Sequence, residues 1–180
     1  MKIIKYVLIF VGFGLVGTFI AAFFVADNHV VEHDIELDQP LEQAWDAVFN
    51  PAKIVMWRDN LDTVESLTGK YDETGFKALF VFSDAEQVSK PVYEVDSVFR
   101  HESATSSIIL SEKIRLDTKY EFEAIDANTS KLHVTTKLTP SGWMYKVMFS
   151  SSGNGLAVKR KAELEKLQKW LSNQTKTPAQ

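Results

Sequence analysis

Three groups of residues have the types and spacing that chemistry requires. Gly12, Gly14 and Gly17 spell G-x-G-x-x-G behind an apolar run, with the acids Glu32 and Asp34 further on. In a dinucleotide-binding unit, such glycines turn tightly around a pyrophosphate and the acid takes the ribose. His29 and His33 stand four apart with Asp34 beside them, a spacing that binds metal when it falls on a helix. Arg100-His101-Glu102 gathers a cation, an imidazole and a carboxylate, the parts of a proton-transfer device. The sequence holds no cysteine, which excludes thiol catalysis, disulfides and thiolate metal sites. It also lacks a nucleophile elbow, a phosphate loop and a zinc signature.

The elements that must position these groups decide against most of them. From Tyr6 to Ala26 no residue is charged, and as a helix that segment is ~31 Å long, the thickness of a bilayer's hydrocarbon core. A helix behind a phosphate loop needs a polar outer face, and TFIAAFFVA has none. Nor do strand–helix–strand repeats follow, as a dinucleotide fold demands. The glycines are therefore read as part of a transmembrane helix over 6–26, after a short cytoplasmic N-terminus over 1–5. Lys2 and Lys5 precede the span, and Asp27, Glu32, Asp34 and Glu36 follow it. The positive-inside rule then puts the N-terminus in the cytoplasm and the remainder outside it. Phe24 and Ile20 stand where signal-peptide cleavage wants a small residue, which favours an uncleaved signal-anchor over a removed leader. The expected product is a single-pass membrane protein with its C-terminal domain extracytoplasmic, which in a bacterium is the periplasmic side of the inner membrane.

The chain of 180 residues suffices for one ordinary domain. Its net charge of -4, without a long basic run, makes it a poor partner for nucleic acid. After a linker at 27–29, Val31, His33, Ile35 and Leu37 alternate with acids, the pattern of a half-buried strand. The two histidines thus fall in a linker and a strand, where a four-residue spacing does not make a metal site. Pro40 suits a first helical turn, and PLEQAWDAVFN carries apolar groups at helical spacing; AKIVMWRD reads as a second short helix. Strands are expected near 60–68, 74–83, 90–101, 105–115, 117–126 and 130–139, separated by turn residues. Arg100, His101 and Glu102 then sit at an exposed hairpin end, where neighbours point to opposite faces. From Ser141 the pattern is helical to about residue 173, followed by a loose polar tail over 174–180. The two N-x-S/T matches, at Asn128 and Asn173, have meaning only in a glycosylating host.

One strand, two short helices, about six strands and a long C-terminal helix is a distinctive order. An antiparallel sheet of that size must cover its apolar face with the one long helix available, by curving around it. Residues 30–173 resemble the START-like, or helix-grip, superfamily, in particular its polyketide-cyclase-like SRPBCC branch. The resemblance is carried by IELDQPLEQAWDAVFNPAKIVMWRDNLDTVESLTG, with Trp45 and Trp57, and by the final ELEKLQKWL. It implies an α+β helix-grip fold with about seven strands and a deep apolar cavity between sheet and long helix.

The strand phases point the same way independently. Phe80 and Phe82 share a face with Phe76 and Ala78; Tyr93, Val95, Ser97 and Phe99 form a second row. Tyr120 and Phe122 form a third, and Val134 and Thr136 lie in a fourth. Trp57, Met144 and Met148 complete the expected lining, and Ser97, Thr136 and the tyrosine hydroxyls are candidates to orient a ligand's polar end. The long helix is interrupted by SSSGNG, where each glycine costs ~1 kcal/mol relative to alanine. This is either a break between two helices or a distorted helix that makes room for a ligand. Both readings make Ser151, Ser152, Gly153 and Gly155 the gate. Beyond it Leu156, Leu164, Leu167 and Leu171 face inward and Lys159, Lys161, Glu165 and Lys169 outward.

The function expected is that of a membrane-anchored, extracytoplasmic protein that binds or transfers a hydrophobic small molecule or lipid, with no cofactor and no metal. Two alternatives stay open. One is a cyclase- or dehydratase-like enzyme using a buried ionisable group, with His33, Glu112 and Glu123 as candidates. The other is a non-catalytic module with a filled core that binds a protein partner.

Overall fold

The computed structural model describes residues 29–84, 87–151 and 155–175, together with Gly17. The anchor flanks Lys2 and Lys5, the segment 6–26 apart from that glycine, and the linker at 27–28 lie outside them. Among the described residues no helix is long and apolar enough to cross a membrane.

Strand β1 (His29–Leu37) alternates half-buried and exposed residues along its length, as its sequence pattern requires. Helix α1 (Leu41–Phe49) starts behind Pro40 and buries Ala44, Trp45, Val48 and Phe49. Asn50 ends α1 and starts α2 (Pro51–Ile54): its amide Nδ2 donates to Asp46 at 3.0 Å, and its Oδ1 accepts from the Ala52 backbone N–H at 3.0 Å. The Trp57 indole N–H then donates to the Ala47 carbonyl at 2.9 Å, tying the two helices together.

Strands β2 (Leu61–Thr68), β3 (Lys77–Asp84), β4 (Gln87–Ser89), β5 (Val92–Phe99), β6 (Ser103–Ser111), β7 (Ile114–Ala124) and β8 (Ser130–Pro140) complete the sheet, followed by α3 (Trp143–Ser151) and α4 (Gly155–Thr175). The antiparallel sheet has eight strands in the order β1-β8-β7-β6-β5-β3-β2, with the short β4 hairpinned onto β3. The sequence pattern leads to about seven, because three residues carry too little alternation to register. It also leads past the turn at Glu112-Lys113, where β6 gives way to β7. Gly69, at φ +76, holds the start of the β2–β3 loop, and a Cβ there would meet the Phe76 Cα at 3.3 Å.

The first strand of the domain pairs with the last, His29 opposite Leu138 and Leu37 opposite Ser130. Helix α4 lies along β1 in the same direction. The His33 Nε2–H donates to the Ala157 carbonyl at 3.1 Å, Gln168 to the Glu36 carbonyl at 2.8 Å, and Gln39 to the Leu171 carbonyl at 3.1 Å. Leu164, Leu167 and Leu171 of α4 enter one continuous core with α1 and the inner face of the sheet. Two helices flank residues 152–154, so whether the chain there is a loop or a distorted helix falls outside the described residues.

Candidate ligand site beneath the long helix

The inner face of the sheet changes character along its strands. At the end where α1 packs, rings meet rings: Trp45 lies 4.6 Å from Phe49 and 5.0 Å from Phe122, and Phe49 lies 5.3 Å from Tyr120. Toward β3, Phe80 stacks on Tyr93 at 4.5 Å, and the Arg58 guanidinium lies over Phe80 and Phe82 at 5.3 and 5.9 Å. Such contacts stabilise beyond the area they bury.

Across the middle of the sheet runs a band of hydroxyls. The registers set Val95 opposite Ser106, Ser106 opposite Thr118, Thr118 opposite Thr136, and Thr136 opposite Val31. Ser106, Thr118 and Thr136 are all buried, Thr136 with 0% exposure. Above them α4 places an ion pair: Arg160 Nη1 lies 2.7 Å from Glu163 Oε2, each residue 5% exposed, and Arg160 Nη2 reaches the Thr118 hydroxyl at 3.5 Å. The Thr136 hydroxyl has no hydrogen-bond partner among the described residues. Burial pushes the neighbouring Tyr93 phenol well above its ordinary value, with the Tyr120 phenol adding and the Ser106 hydroxyl opposing. It therefore stays a neutral donor at every physiological pH.

Of the residues expected to line a cavity, Trp57, Phe80, Tyr93, Val95, Tyr120, Phe122, Val134 and Thr136 are buried and Phe82 is half-buried. Three are placed elsewhere. Phe99 is 63% exposed: the register shifts between Val95 and Ser97, so Asp96 is an extra residue and the phase of β5 inverts beyond it. Val98 takes the inner place and packs on the core, and Ser97 pairs with the Thr105 hydroxyl at 2.7 Å instead of facing a ligand. Met144 and Met148, one turn apart on α3, are 64% and 49% exposed; α3 turns that face away from the sheet. Of the gate, Ser151 ends α3 and Gly155 begins α4 with open space around it, and Ser152 and Gly153 lie outside the described residues.

Of the proton-transfer candidates, Glu112 and Glu123 are exposed, and only His33 faces α4. The residues that sequence reasoning missed are Arg160 and Glu163. Their signal is present, because 156, 160, 163, 164, 167 and 171 fall on one helical stripe; the expectation that charges face water overrides it. Among the described residues no three acidic or histidine side chains converge as a metal site.

Arg100, His101 and Glu102 form the turn expected of them, His101 at φ 64, but the imidazole is not exposed. It packs edge-on against Trp45 at 5.8 Å and shares a pocket of about 310 Å³ with Asp46, Lys53, Tyr71, Asp72 and Arg100. Both cations there are paired: Lys53 with Asp46 at 2.5 Å and Arg100 with Asp72 at 3.5 Å, while Glu42 adds a third carboxylate to the lining. Burial alone would raise the Asp46 carboxyl, but hydrogen bonds from Lys53, Asn50 and Tyr71 outweigh it and hold the group below its ordinary value.

No family model matches the sequence, and no curated protein matches it. Solved structures do match the fold. The Zhui aromatase/cyclase from a Streptomyces species superposes with a TM-score of 0.64 at 10% identity, covering 82% of this chain and 96% of that one. A Staphylococcus aureus protein of unknown function reaches 0.66 at 14% identity, with coverage of 84% and 99%. Norcoclaurine synthase from Thalictrum flavum, solved with dopamine and hydroxybenzaldehyde, gives 0.59 at 12%, with coverage of 86% and 91%. These neighbours are of the SRPBCC type, and the antiparallel sheet with its C-terminal helix is a helix-grip arrangement.

Proposed function

We propose that a chain with this fold works as a membrane-tethered, extracytoplasmic binder of a hydrophobic small molecule or lipid, held between the sheet and α4. The observation that carries the reading is the polar band at the centre of a mostly apolar interior. Burying a hydroxyl without a partner costs about 1–3 kcal/mol, and a dry ion pair contributes little net stability against apolar side chains of similar volume. Folding does not call for either of them there. A ligand with an apolar body and one polar group does: Thr136, Tyr93 and Arg160 supply donors, and the surrounding rings and leucines supply apolar contact. The tether rests on the uncharged segment 6–26 and on Lys2 and Lys5 before it.

Native mass spectrometry of residues 29–180, which hold the whole described core, tests the ligand. A stoichiometric adduct of defined mass, released by organic solvent, is expected. A clean apo mass that takes up nothing from membrane lipids would replace this reading with the protein-interaction module. Carbonate extraction tests the tether: the full chain is expected in the membrane pellet, with its domain open to protease added to spheroplasts.

A second reading, a cyclase- or dehydratase-like enzyme, is favoured by one residue. Glu163 is a buried carboxylate over the hydroxyl band, placed for proton transfer to a ligand bound there. If the protein turns over its ligand, Glu163→Gln should abolish turnover and keep the adduct.

A further inference from the structure

Exposed apolar side chains occur at both ends of the sheet, among them Leu67, Phe99 and Ile125 at the end away from α3. At the other end, β1 begins at His29, beside Leu138 near the end of β8, and Pro140 lies opposite Ile114 at the start of β7. The same end carries α3. The Ser141 N–H donates to the Lys113 carbonyl at 2.6 Å, and Lys113 Nζ lies 5.9 Å from the Tyr145 ring, which sets the first turn of α3 against the β6–β7 hairpin. Exposed apolar side chains gather there: Ile109 and Leu110 on the hairpin, Met144 and Met148 on α3, and Val158 on the first turn of α4. Leu110 is 51% exposed, because the strand is irregular between Ile109 and Ser111 and turns it outward. Single exposed apolar residues are ordinary, but a group on adjoining elements marks a contact surface.

Two facts identify what covers it. The uncharged segment 6–26 ends only three residues before His29, so the start of β1 is at most ~10 Å of chain from that segment's last residue. No acidic residue occurs between Ser141 and Ala162, whereas Lys146, Lys159 and Lys161 do, and at the hairpin tip Lys113 offsets Glu112, a balance that suits anionic headgroups. We propose that the β6–β7 hairpin and the outer face of α3 rest in the headgroup layer of the bilayer, with Leu110 and Met144 reaching the acyl boundary. The inference rests on the membrane-tethered reading and gives it an orientation. The domain does not swing free on its linker; the end of the helix–sheet interior beside the start of α4 faces the membrane, from which an apolar ligand would come.

The lack of cysteine makes the test clean. Single-cysteine full chains, Leu110→Cys, Met144→Cys, Phe99→Cys and Ala22→Cys, are labelled with an environment-sensitive fluorophore. They are then reconstituted in phosphatidylcholine–phosphatidylglycerol vesicles that carry nitroxide-labelled lipid. Phe99 is the control, exposed at the far end of β5, ~23 Å from Val92. Blue-shifted emission with several-fold stronger quenching at 110 and 144, but not at 99, is the expected result. Lipid contact at 22 with water-like signals at 110 and 144 would overturn the docking surface and leave the tether standing. A water-like signal at 22 would remove the tether and this inference with it. Equal quenching at 99 would mean adsorption without orientation and would also overturn it.

Discussion

The interior has two regions built by opposite rules. Under α1 and along β3 and β5, aromatic rings close on one another, and even the Arg58 cation is spent on ring faces. Under α4, three hydroxyls and a buried ion pair occupy the centre of the sheet. The first region is what a core needs. The second is costlier than apolar packing of the same volume, so the two regions should answer differently to substitution.

The sharpest way to break that contrast is to remove one member from each region. Phe80→Ala should cost about 3–5 kcal/mol, and Arg160→Met a similar amount, because it strands the Glu163 carboxylate. The pair Arg160→Met with Glu163→Leu should recover most of that loss, whereas no single partner change rescues Phe80→Ala. Urea midpoints decide it; a double variant as unstable as the single one would show that the ion pair belongs to the core.

Thr136→Val sharpens the contrast further. It removes an unpartnered hydroxyl at nearly constant volume, so stability should hold or rise by up to about 1 kcal/mol. Ligand retained through purification should nevertheless fall several-fold. An undiminished adduct would take Thr136 out of the site.

The smallest effect lies outside both regions, in the pocket around Asp46. The Asp46 carboxyl is held below its ordinary value, so its contribution is present above the unfolded carboxylate range and is lost as pH falls through the folded value. Acid unfolding of Asp46→Asn should therefore depend less steeply on pH below about 4. Matching slopes for the two proteins would show that the Lys53, Asn50 and Tyr71 contacts do not hold in solution.

Much of the scaffold was legible because one periodicity governed each piece. The alternation of Val31, His33, Ile35 and Leu37 gave β1, and the 3.6-residue stripe of Leu164, Leu167 and Leu171 gave the buried face of α4. Thr136 could be placed by strand phase alone. Phe99 could not, because a bulge is one added residue and leaves no mark on composition. The β3–β4 hairpin was too short to show a period. Arg160 and Glu163 were hidden for another reason: their positions pointed inward while their chemistry pointed outward, and such conflict between position and chemistry is itself a signature of a site. The pocket around His101 needed two helices and two loops to be brought together, which no local pattern encodes.

The pairing of β1 with β8 has a consequence for how the chain is made. Asp34 meets His133 across 99 residues of sequence, so β1 emerges during synthesis long before its partner does. Contacts of that separation are slow to form, and an unpaired strand is an invitation to aggregation. The three acids at Glu32, Asp34 and Glu36, one at every second residue, charge the waiting strand along one side. The feature that closes the finished domain thus sets a long vulnerable interval in its biogenesis, and the same strand carries its own protection through it.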